Sequence, residues 1–357
     1  MIVVNYGRDW AKVTYDALAA SDISERLKPS YRVAVKPNLI LASPAANGAT
    51  THPEVVEGVV MFLRDFGVSC VKIIESAWVG DCTKRAFHVC GYEELGRRLG
   101  VGLVDLKDDT YTTLRHNETG LDISICDEAL GSDFLINVPV LKAHCQTLMT
   151  NAMKNLKGCI PDAEKRRFHT IGLHKPIAAL AALMTRETPG YVVVDGICGD
   201  LSFEEGGSPV EANRIITGSD PLEVDSYCAG LIGYAPDEIG YITHAAEFGF
   251  GELFSERTRL VELNASDKPL TPATGSRVAS RYRSVIDEDG ACSACYAALI
   301  FALHRHGSYA GGKISIGQGF RGKHGNGLGI GNCAAGFERN VRGCPPTAAE
   351  VLREIRG

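Results

Sequence analysis

Short β-branched segments alternate with segments of helical periodicity through the first two thirds of the sequence. Residues 32–41 and 71–74 have the composition of strands. Between them, apolar residues recur at helical spacing from Pro53, which suits a first helical turn, to Gly67, which ends the helix. Because strand–helix–strand alternation places successive strands parallel, the pattern predicts an α/β fold with a parallel sheet.

The same alternation continues to about residue 264. Further helices are predicted at 83–99, 148–156, 177–184 and 223–232, and further strands at 101–105, 133–140, 191–194, 214–217 and 260–263. Residues 265–277 are rich in Ser, Thr and Pro, which indicates a module boundary. We therefore expect a doubly wound, mostly parallel sheet in residues 1–264 and a separate C-terminal module in residues 278–357.

Polar residues follow several of the predicted strands. In open parallel sheets ligands bind beyond the carboxyl ends of the strands, so these residues should converge on one cleft. Lys36, Lys142 and Lys157 could bind a carboxylate or phosphate. His52 and His144 could move protons near neutral pH. We predict catalytic roles for His52, His144 and Lys142, and substrate-binding roles for Lys36, Asn38, Glu75, Asn155, Lys157 and Asp195.

Two other interpretations of these polar residues stay open. Each residue taken singly could be an ordinary structural residue at a strand end, and His52, Glu75, His144 and Asp195 could instead bind a metal ion. A nearby basic run is interpreted as a solvated face rather than an anion site. It consists of Lys154, Lys165, Arg166, Arg167, His169 and His174.

Twelve cysteines are many for a chain that is long enough to bury a core without disulfides. Eight are scattered singly and are interpreted as small core residues. They are Cys70, Cys82, Cys90, Cys126, Cys145, Cys159, Cys198 and Cys228.

The remaining four cysteines form a spaced set near the end of the chain. Two residues separate Cys292 from Cys295, 37 residues separate Cys295 from Cys333, and ten separate Cys333 from Cys344, which stands directly before two prolines. A proline after a cluster cysteine is a ferredoxin feature. We predict that the four thiolates bind a [4Fe-4S] cluster, which makes residues 278–357 a cysteine-rich iron-sulfur module. Structural zinc, which favours two close pairs, and a dithiol of Cys292 and Cys295 are the alternatives.

The surroundings of these cysteines support the cluster. Predicted helices at 296–304 and 347–355 begin just after the first pair and after Cys344, and helix N-termini favour thiolates. Eleven glycines lie among residues 307–336, where backbone amides could approach cluster sulfurs. The segment 317–322 matches a dinucleotide-binding pattern, but no helix is predicted after it, so it is interpreted as a loop near the cluster.

The bulk composition excludes two classes of partner. With a formal net charge of −6 the chain lacks the basic excess of a nucleic-acid-binding protein. No apolar run approaches about 18 residues, and the N-terminus lacks the features of a signal peptide. We therefore expect a soluble, cytoplasmic protein that does not contact membranes.

The order of the polar motifs resembles one family over nearly the whole chain. The motifs are Lys36-Pro37-Asn38, Thr51-His52-Pro53, residues 134–139 followed by Lys142 and His144, residues 154–158, and Gly218-Ser219-Asp220-Pro221 with Asp225. The family is domain of unknown function 362, whose members are commonly labelled iron-sulfur centre proteins.

The resemblance implies an iron-sulfur protein but little further chemistry. Many members carry two consecutive ferredoxin-type four-cysteine runs, whereas this sequence has one spread set, which argues against a two-cluster electron wire. The Cys344-Pro345-Pro346 ending also resembles the cluster ligation of the small electron-transfer subunits of hydrogenases and respiratory complex one.

The leading functional hypothesis is an iron-sulfur oxidoreductase that acts on a small anionic molecule, with a ferredoxin-like protein as a redox partner. One alternative is a non-enzymatic electron carrier or cluster-delivery protein, which would not need the polar cleft. The other is a non-redox lyase that uses the cluster as a Lewis acid. That chemistry usually requires only three cysteine ligands, so four argue against it.

Overall fold

The computed structural model describes residues 1–264 and 277–357. Its strands are β1 Ile2–Tyr6, β2 Arg32–Pro37, β3 Cys70–Glu75, β4 Gly102–Asp105, β5 Tyr111–His116, β6 Leu121–Cys126, β7 Phe134–Val138, β8 Lys142–His144, β9 Leu148–Thr150, β10 Gly190–Asp200, β11 Pro209–Gly218, β12 Leu260–Glu262, β13 Ile286–Glu288, β14 Ile314–Ile316, β15 His324–Ile330 and β16 Gly336–Val341.

The helices alternate with these strands in the first half of the chain. They are α1 Trp10–Ala19, α2 Pro53–Asp65, α3 Thr83–Val89, α4 Tyr92–Leu99, α5 Asp127–Leu130, α6 Ala152–Asn155, α7 Asp162–Thr170, α8 His174–Glu187, α9 Pro221–Leu231, α10 Gly240–Glu247, α11 Ser293–His306 and α12 Ala348–Arg356.

An eight-stranded sheet forms the body, in the order β12-β1-β11-β10-β7-β2-β3-β4. Strands β10, β7, β2, β3 and β4 are mutually parallel, and β12 is parallel to β1. Strand β11 is antiparallel to both of its neighbours. The predicted α/β fold with a mostly parallel sheet is therefore confirmed.

Helices cover both faces of this sheet because its strands carry apolar side chains on both sides. On one face, Val33 and Val35 of β2 pack with Ala17 of α1 and Val56 of α2. On the other face, Ala34 belongs to the buried cluster that contains the apolar residues of α8, α9 and α10. The carboxyl ends of the central strands remain open for a site.

The C-terminal segment forms a second, smaller unit with its own core. Strands β13, β14, β15 and β16 make a four-stranded sheet in that order, and every pair is parallel. Apolar residues of this sheet, such as Ile314 and Ile330, pack with Leu299 of α11 and Val351 of α12. The predicted boundary at 265–277 lies almost entirely outside the described residues.

Two predicted helices differ from the structure. The helix predicted at 83–99 is divided into α3 and α4 at Gly91, whose φ of 81° interrupts the helix. The helix predicted at 148–156 was wrong over its first half, because Leu148 takes a φ of 67° and pairs in β9 with His144 of β8. Only α6 and the following 3-10 turn, Leu156–Cys159, remain of it.

Two other local predictions can be compared with the structure. The segment after the glycine pattern at 317–322 is a strand, β15, so no helix N-terminus follows the pattern to bind a dinucleotide phosphate. Among the described residues, no helix combines the length and the apolar character needed to span a bilayer.

Candidate functional site

A cavity of about 90 Å³ lies where the carboxyl ends of β2 and β3 meet the start of α11. Most of its walls come from the body, and the C-terminal unit contributes one side through Cys292, Ser293 and Ala294. Its polar lining consists of Lys36, Asn38, Glu75, Ser76, Lys142, His144, Thr150, Lys154, Asn155, Lys157, Lys165, His169 and Glu204. Lysine is thus the commonest charged residue around the cavity.

A buried ion pair joins two neighbouring strand ends at the floor of the cavity. Lys36 Nζ donates to Glu75 Oε2 at 3.0 Å, to Asn155 Oδ1 at 3.2 Å and to the Pro37 carbonyl at 2.8 Å. The two charged side chains are 1% and 2% exposed. All three N–H donors of the Lys36 ammonium thus have protein partners, so in this structure Lys36 stabilises the fold and has no donor left for a ligand.

Asn155 extends this network to a third strand. Its Oδ1 also accepts from Asn38 Nδ2 at 2.9 Å, and its Nδ2 donates to Asn137 Oδ1 at 2.8 Å. Asn137 lies on β7, and Asn155 ends α6. The network therefore fixes α6 and the turn after it against the strand ends.

A buried aspartate on α9 holds the other end of α6. Asp225 accepts from the backbone N–H groups of Ala152 at 2.7 Å and Met153 at 3.0 Å. Free N–H groups at a helix start need such acceptors. Burial raises the pKa of Asp225 to about 7, although these two hydrogen bonds oppose the shift. The short helix that carries Lys154 is thus held at both ends.

Lys154 and Lys157 are the cavity lysines with the fewest protein partners among the described residues. Lys154 Nζ donates to Thr150 Oγ1 at 3.3 Å, and Lys157 Nζ lies 3.2 Å from His169 Nε2. Burial lowers the pKa of Lys154 to about 8 and, together with the charge of Lys154, that of Lys157 to about 7. Each ammonium has donors left to bind an anion.

His169 is neutral beside Lys157. Burial and the charge of Lys157 lower the pKa of His169 well below its usual value. Its unprotonated Nε2 can therefore accept a hydrogen bond from the Lys157 ammonium.

The ammonium groups of Lys142 and Lys165 have more hydrogen-bond partners than those of Lys154 and Lys157. Lys142 is completely buried, and its Nζ donates to the backbone carbonyls of Ala49 at 2.5 Å and Glu204 at 2.8 Å. Lys165 Nζ donates to Ser76 Oγ at 2.5 Å and to the Ala77 carbonyl at 2.8 Å. Burial lowers the pKa of Lys142 to about 7 and that of Lys165 to about 8.

His144 has a defined tautomer. Its Nδ1 accepts from the backbone N–H groups of Gln146 at 3.1 Å and Thr147 at 3.2 Å, so its proton resides on Nε2. Nε2 lies 2.8 Å from Glu204 Oε2 and donates to it. Burial lowers the pKa of His144 to about 3, although Glu204 opposes the shift.

Glu204 gathers His144 and Cys145 around one carboxylate. Cys145 Sγ lies 3.3 Å from Glu204 Oε2, and the ligand atoms of these three residues all lie within 4.8 Å of one another. Burial opposes ionisation of Glu204, but His144 and the charge of Lys154 lower its pKa to about 2. The carboxylate is therefore ionised at neutral pH.

This trio fits a hydrogen-bonded cluster better than a metal site. A histidine that binds a metal through Nε2 ordinarily donates its Nδ1–H to an acceptor. Here the two backbone N–H groups point at Nδ1, which requires the opposite tautomer. The metal set considered from the sequence is not gathered either, since Glu75 pairs with Lys36 and His144 pairs with Glu204.

His52 and Asp195 form a separate pair outside the lining of the cavity. His52 Nδ1 lies 2.9 Å from Asp195 Oδ2, which also accepts from the His52 backbone N–H at 2.7 Å. Trp10 packs against the imidazole ring, with centroids 4.8 Å apart. Burial opposes protonation of His52, but the carboxylate of Asp195 outweighs it and raises the pKa of His52 to about 10.

The four C-terminal cysteines approach one another from three segments. Cys292 caps α11, Cys295 lies in its first turn, Cys333 lies in a short 3-10 turn, and Cys344 follows β16. Each of Cys333 and Cys344 acts electrostatically on both Cys292 and Cys295, and burial raises the pKa of those two thiols. Gly331 would place a side chain 3.6 Å from Cys295 Sγ, so this backbone lies against the cysteines.

Arg321 adds positive charge beside these thiols. Its Nε lies 3.4 Å from Cys333 Sγ, and its pKa is raised by that contact and by Cys292 and Cys344. A single metal ion would draw its ligand atoms close together, yet among the described residues only the His144 trio is that compact. A cluster of four irons spreads its ligands over a wider cage than zinc does, and Cys292, Cys295, Cys333 and Cys344 are the residues that would hold such a cluster.

Gln146 connects the body to the start of α11. Its Nε2 donates to the Ala291 carbonyl at 3.0 Å, and its Oε1 accepts from Ser293 Oγ at 2.8 Å. These two bonds flank Cys292, which lines the cavity. The cysteine set and the lysine cavity are thus held in contact.

The structure brings together most of the polar residues that the sequence indicated. Lys36, Asn38, Glu75, Lys142, His144, Asn155 and Lys157 line one cavity, whereas His52 and Asp195 do not. Residue roles among these stay predictions.

Sequence reasoning missed Glu204 and misplaced part of the basic run. Lys154, Lys165 and His169 line the cavity, so the solvated-face interpretation was wrong for them. Lys154 belongs to the Lys-Asn-Leu-Lys-Gly segment itself, and the i, i+4 spacing of Lys165 and His169 after that segment was the available signal. Of the eight dispersed cysteines, Cys70 at the start of β3 and Cys82 before α3 are exposed, and for these two the core interpretation was wrong.

Gly158→Ala is expected to disrupt the Lys36–Glu75 pair. A Cβ at Gly158 would lie 2.2 Å from Glu75 Oε1 and 2.5 Å from Lys36 Nζ. We expect the free energy of unfolding to fall by at least about 2 kcal/mol. Gly230→Ala, at an exposed helix position with open space, is the matched control and should raise stability slightly. Equal effects in urea denaturation would contradict the structural role of the pair.

His52 is expected to make stability depend on pH. Its pKa is about 10 in the folded protein and 6.5 in the unfolded chain. The stabilisation is therefore complete below pH 6.5 and is lost as pH rises toward 10, at up to about 1.4 kcal/mol per pH unit. His52→Gln should remove this contribution to the slope of unfolding free energy against pH. Parallel slopes for wild type and variant would refute the ion pair.

The chain is similar in sequence to a known protein over more than half of its length. The thylakoid-associated protein sll1697 of Synechocystis sp. is 30% identical over 219 residues, which are 59% of this chain. The match spans 60% of the length of that relative.

Two solved structures are similar over part of the chain. The lactate racemase apoprotein from Thermoanaerobacterium thermosaccharolyticum is 12% identical with a TM-score of 0.45, over 66% of this chain and 57% of that one. A Thermotoga maritima protein is 14% identical with a TM-score of 0.37, over 58% and 54%.

One family model matches more than half of the chain. The match covers residues 33–230, from β2, which contains Lys36, through most of α9, which contains Asp225. It therefore contains the strand ends, α6 and most of the lysine cavity. The chain belongs to the family described as Domain of unknown function (DUF362).

Proposed function

We propose that this protein is an iron-sulfur oxidoreductase that transfers electrons to a small anion bound in the lysine cavity. The observation that carries the proposal is that Cys292 lines the same cavity as Lys154 and Lys157. A cysteine that binds a redox cluster and two lysines that bind an anion would then be neighbours. Electron transfer would need no movement of the two units.

The donor set supports a [4Fe-4S] cluster as the redox group. Cys292, Cys295, Cys333 and Cys344 would hold it, and the group would supply single electrons at a potential set by its surroundings. Arg321 beside Cys333 and the start of α11 beside Cys292 both place positive charge where the thiolates need it. Both features stabilise the anionic form of the thiols.

Lys154 and Lys157 are the side chains best suited to hold the anion. Lys36 and Lys142 were proposed for this role from the sequence, but their ammonium groups already donate to protein acceptors. A volume of about 90 Å³ corresponds to roughly three water molecules. The cavity therefore suits the anionic group of a ligand, a carboxylate or oxoanion of a few non-hydrogen atoms.

Lys157 is also placed to donate a proton. Its ammonium is destabilised by burial and contacts neutral His169, so a proton can leave it near neutral pH. In a two-electron reduction of the anion, two molecules of a reduced one-electron carrier each give up one electron and leave in the oxidised form. The two protons come from solvent, and Lys157 passes them to the anion in turn.

Cluster binding is tested by anaerobic purification with iron and sulfide analysis. We expect about four irons and four sulfides per chain, with an electron paramagnetic resonance signal after reduction. Cys292→Ala should lower the iron content, whereas the exposed cysteine variant Cys82→Ala should leave it unchanged. A folded protein with zinc and no iron would refute the redox function.

Anion binding is tested by calorimetry with acetate, nitrite and phosphate as probes. Lys154→Met and Lys157→Met should each weaken binding by at least about tenfold, as loss of a charged partner does. Lys28→Met, on an exposed lysine before β2, is the matched control. Unchanged binding in both cavity variants would leave the electron-carrier function as the better account.

The same titrations should show proton uptake. Free Lys157 and Lys154 have pKa values of about 7 and 8, and a bound anion favours their charged forms. Affinity should therefore fall as pH rises through 7 to 9. Binding heats in buffers of different ionisation enthalpy measure the protons directly, and binding without proton uptake at pH 8 would contradict the lysine site.

A further inference from the structure

The four cysteines differ in how they face solvent. Cys292 and Cys295 are partly buried, and Cys292 faces the cavity. Cys344 is exposed and Cys333 is partly exposed. The cysteine set therefore has an inner side toward the substrate cavity and an outer side toward solvent.

Exposed basic residues lie on the outer side. Arg321 contacts Cys333, Lys323 follows two residues later, and Arg342 precedes Cys344 by two residues; all three side chains are exposed. Residues 307–357 carry seven lysines and arginines and three glutamates, whereas the whole chain has a net charge of −6. The segment that carries Cys333 and Cys344 thus has an excess of four positive side-chain charges, and one of these, Lys323, has its Nζ 3.5 Å from Asp289 Oδ2.

We propose that the surface formed by Arg321, Lys323 and Arg342 around Cys333 and Cys344 is the docking site for a small acidic electron-carrier protein. The inference rests on the proposed function, because it assumes that the four cysteines hold a redox cluster. A basic patch on an acidic protein attracts an oppositely charged partner and orients it during approach. The partner's redox group would arrive at the exposed Cys344 side.

The electron balance of this contact is simple. A reduced carrier gives up one electron and is released in its oxidised form, and the group held by the four cysteines gains that electron. No proton or covalent bond changes at this surface. Two such encounters supply the two electrons that the cavity reaction consumes.

The matched control is a basic residue of the body near the amino ends of the central strands. Lys28 lies before β2, at the amino end of the central strands. Its Nζ lies over the ring of Tyr31, 5.6 Å from the ring centroid. It is an exposed basic residue far along the strand direction from the cysteines. It therefore provides a matched charge-reversal control.

The experiment measures the association of the anaerobically purified, iron-loaded protein with a purified plant-type ferredoxin by surface plasmon resonance. We expect the association rate constant to fall steeply with ionic strength. The double variant Lys323→Glu and Arg342→Glu should lower it by about tenfold or more at low salt. Lys28→Glu should lower it by less than about twofold.

Iron content and the electron paramagnetic resonance signal are recorded for each variant. Unchanged cluster content with a slower association supports the docking surface. Association that is equally affected by the double variant and by Lys28→Glu, or by neither, overturns it. Because this outcome leaves the iron in place, it is distinct from failure of the proposed function, which shows as protein without iron.

Discussion

The buried Lys36–Glu75 ion pair is the constraint on which the site depends. Removing two charges from water is costly, and the pair is tolerated because Asn155, the Pro37 carbonyl and the Leu39 N–H complete its hydrogen bonds. Glu75 can accept these bonds only if β2 and β3 end side by side. The same contacts fix Asn155, and with it the segment that presents Lys154 and Lys157.

The excess of lysine around so small a cavity follows from this arrangement. Glu75 neutralises Lys36, which leaves Glu204 as the other carboxylate in the lining. One carboxylate cannot neutralise the four remaining lysines, Lys142, Lys154, Lys157 and Lys165. Burial lowers the pKa of each of these four. An anion would relieve the repulsion among them, which is why the cavity is better suited to an anionic ligand than to a metal ion.

Much of this organisation could be predicted from the sequence, and the failures have physical causes. The strands follow from apolar periodicity, and the positions of Lys36 and Lys142 follow from polar residues at or just after the ends of predicted strands. Glu204 could not be found, because its partners His144 and Cys145 lie about 60 residues earlier, and only the folded chain joins them. His52 lies outside the cavity because it caps the start of α2 and pairs with Asp195, a contact that only the folded chain brings together.

Neither unit completes the site alone. The body supplies the lysines and fixes them through Asn155 and Asp225, whereas the C-terminal unit supplies Cys292 at the start of α11. Gln146 bonds both sides of that cysteine, so the contact between the units is made at the site itself. A redox group in the cysteines would thus have the cavity on its inner side and the solvent on its outer side, as a protein that passes electrons inward requires.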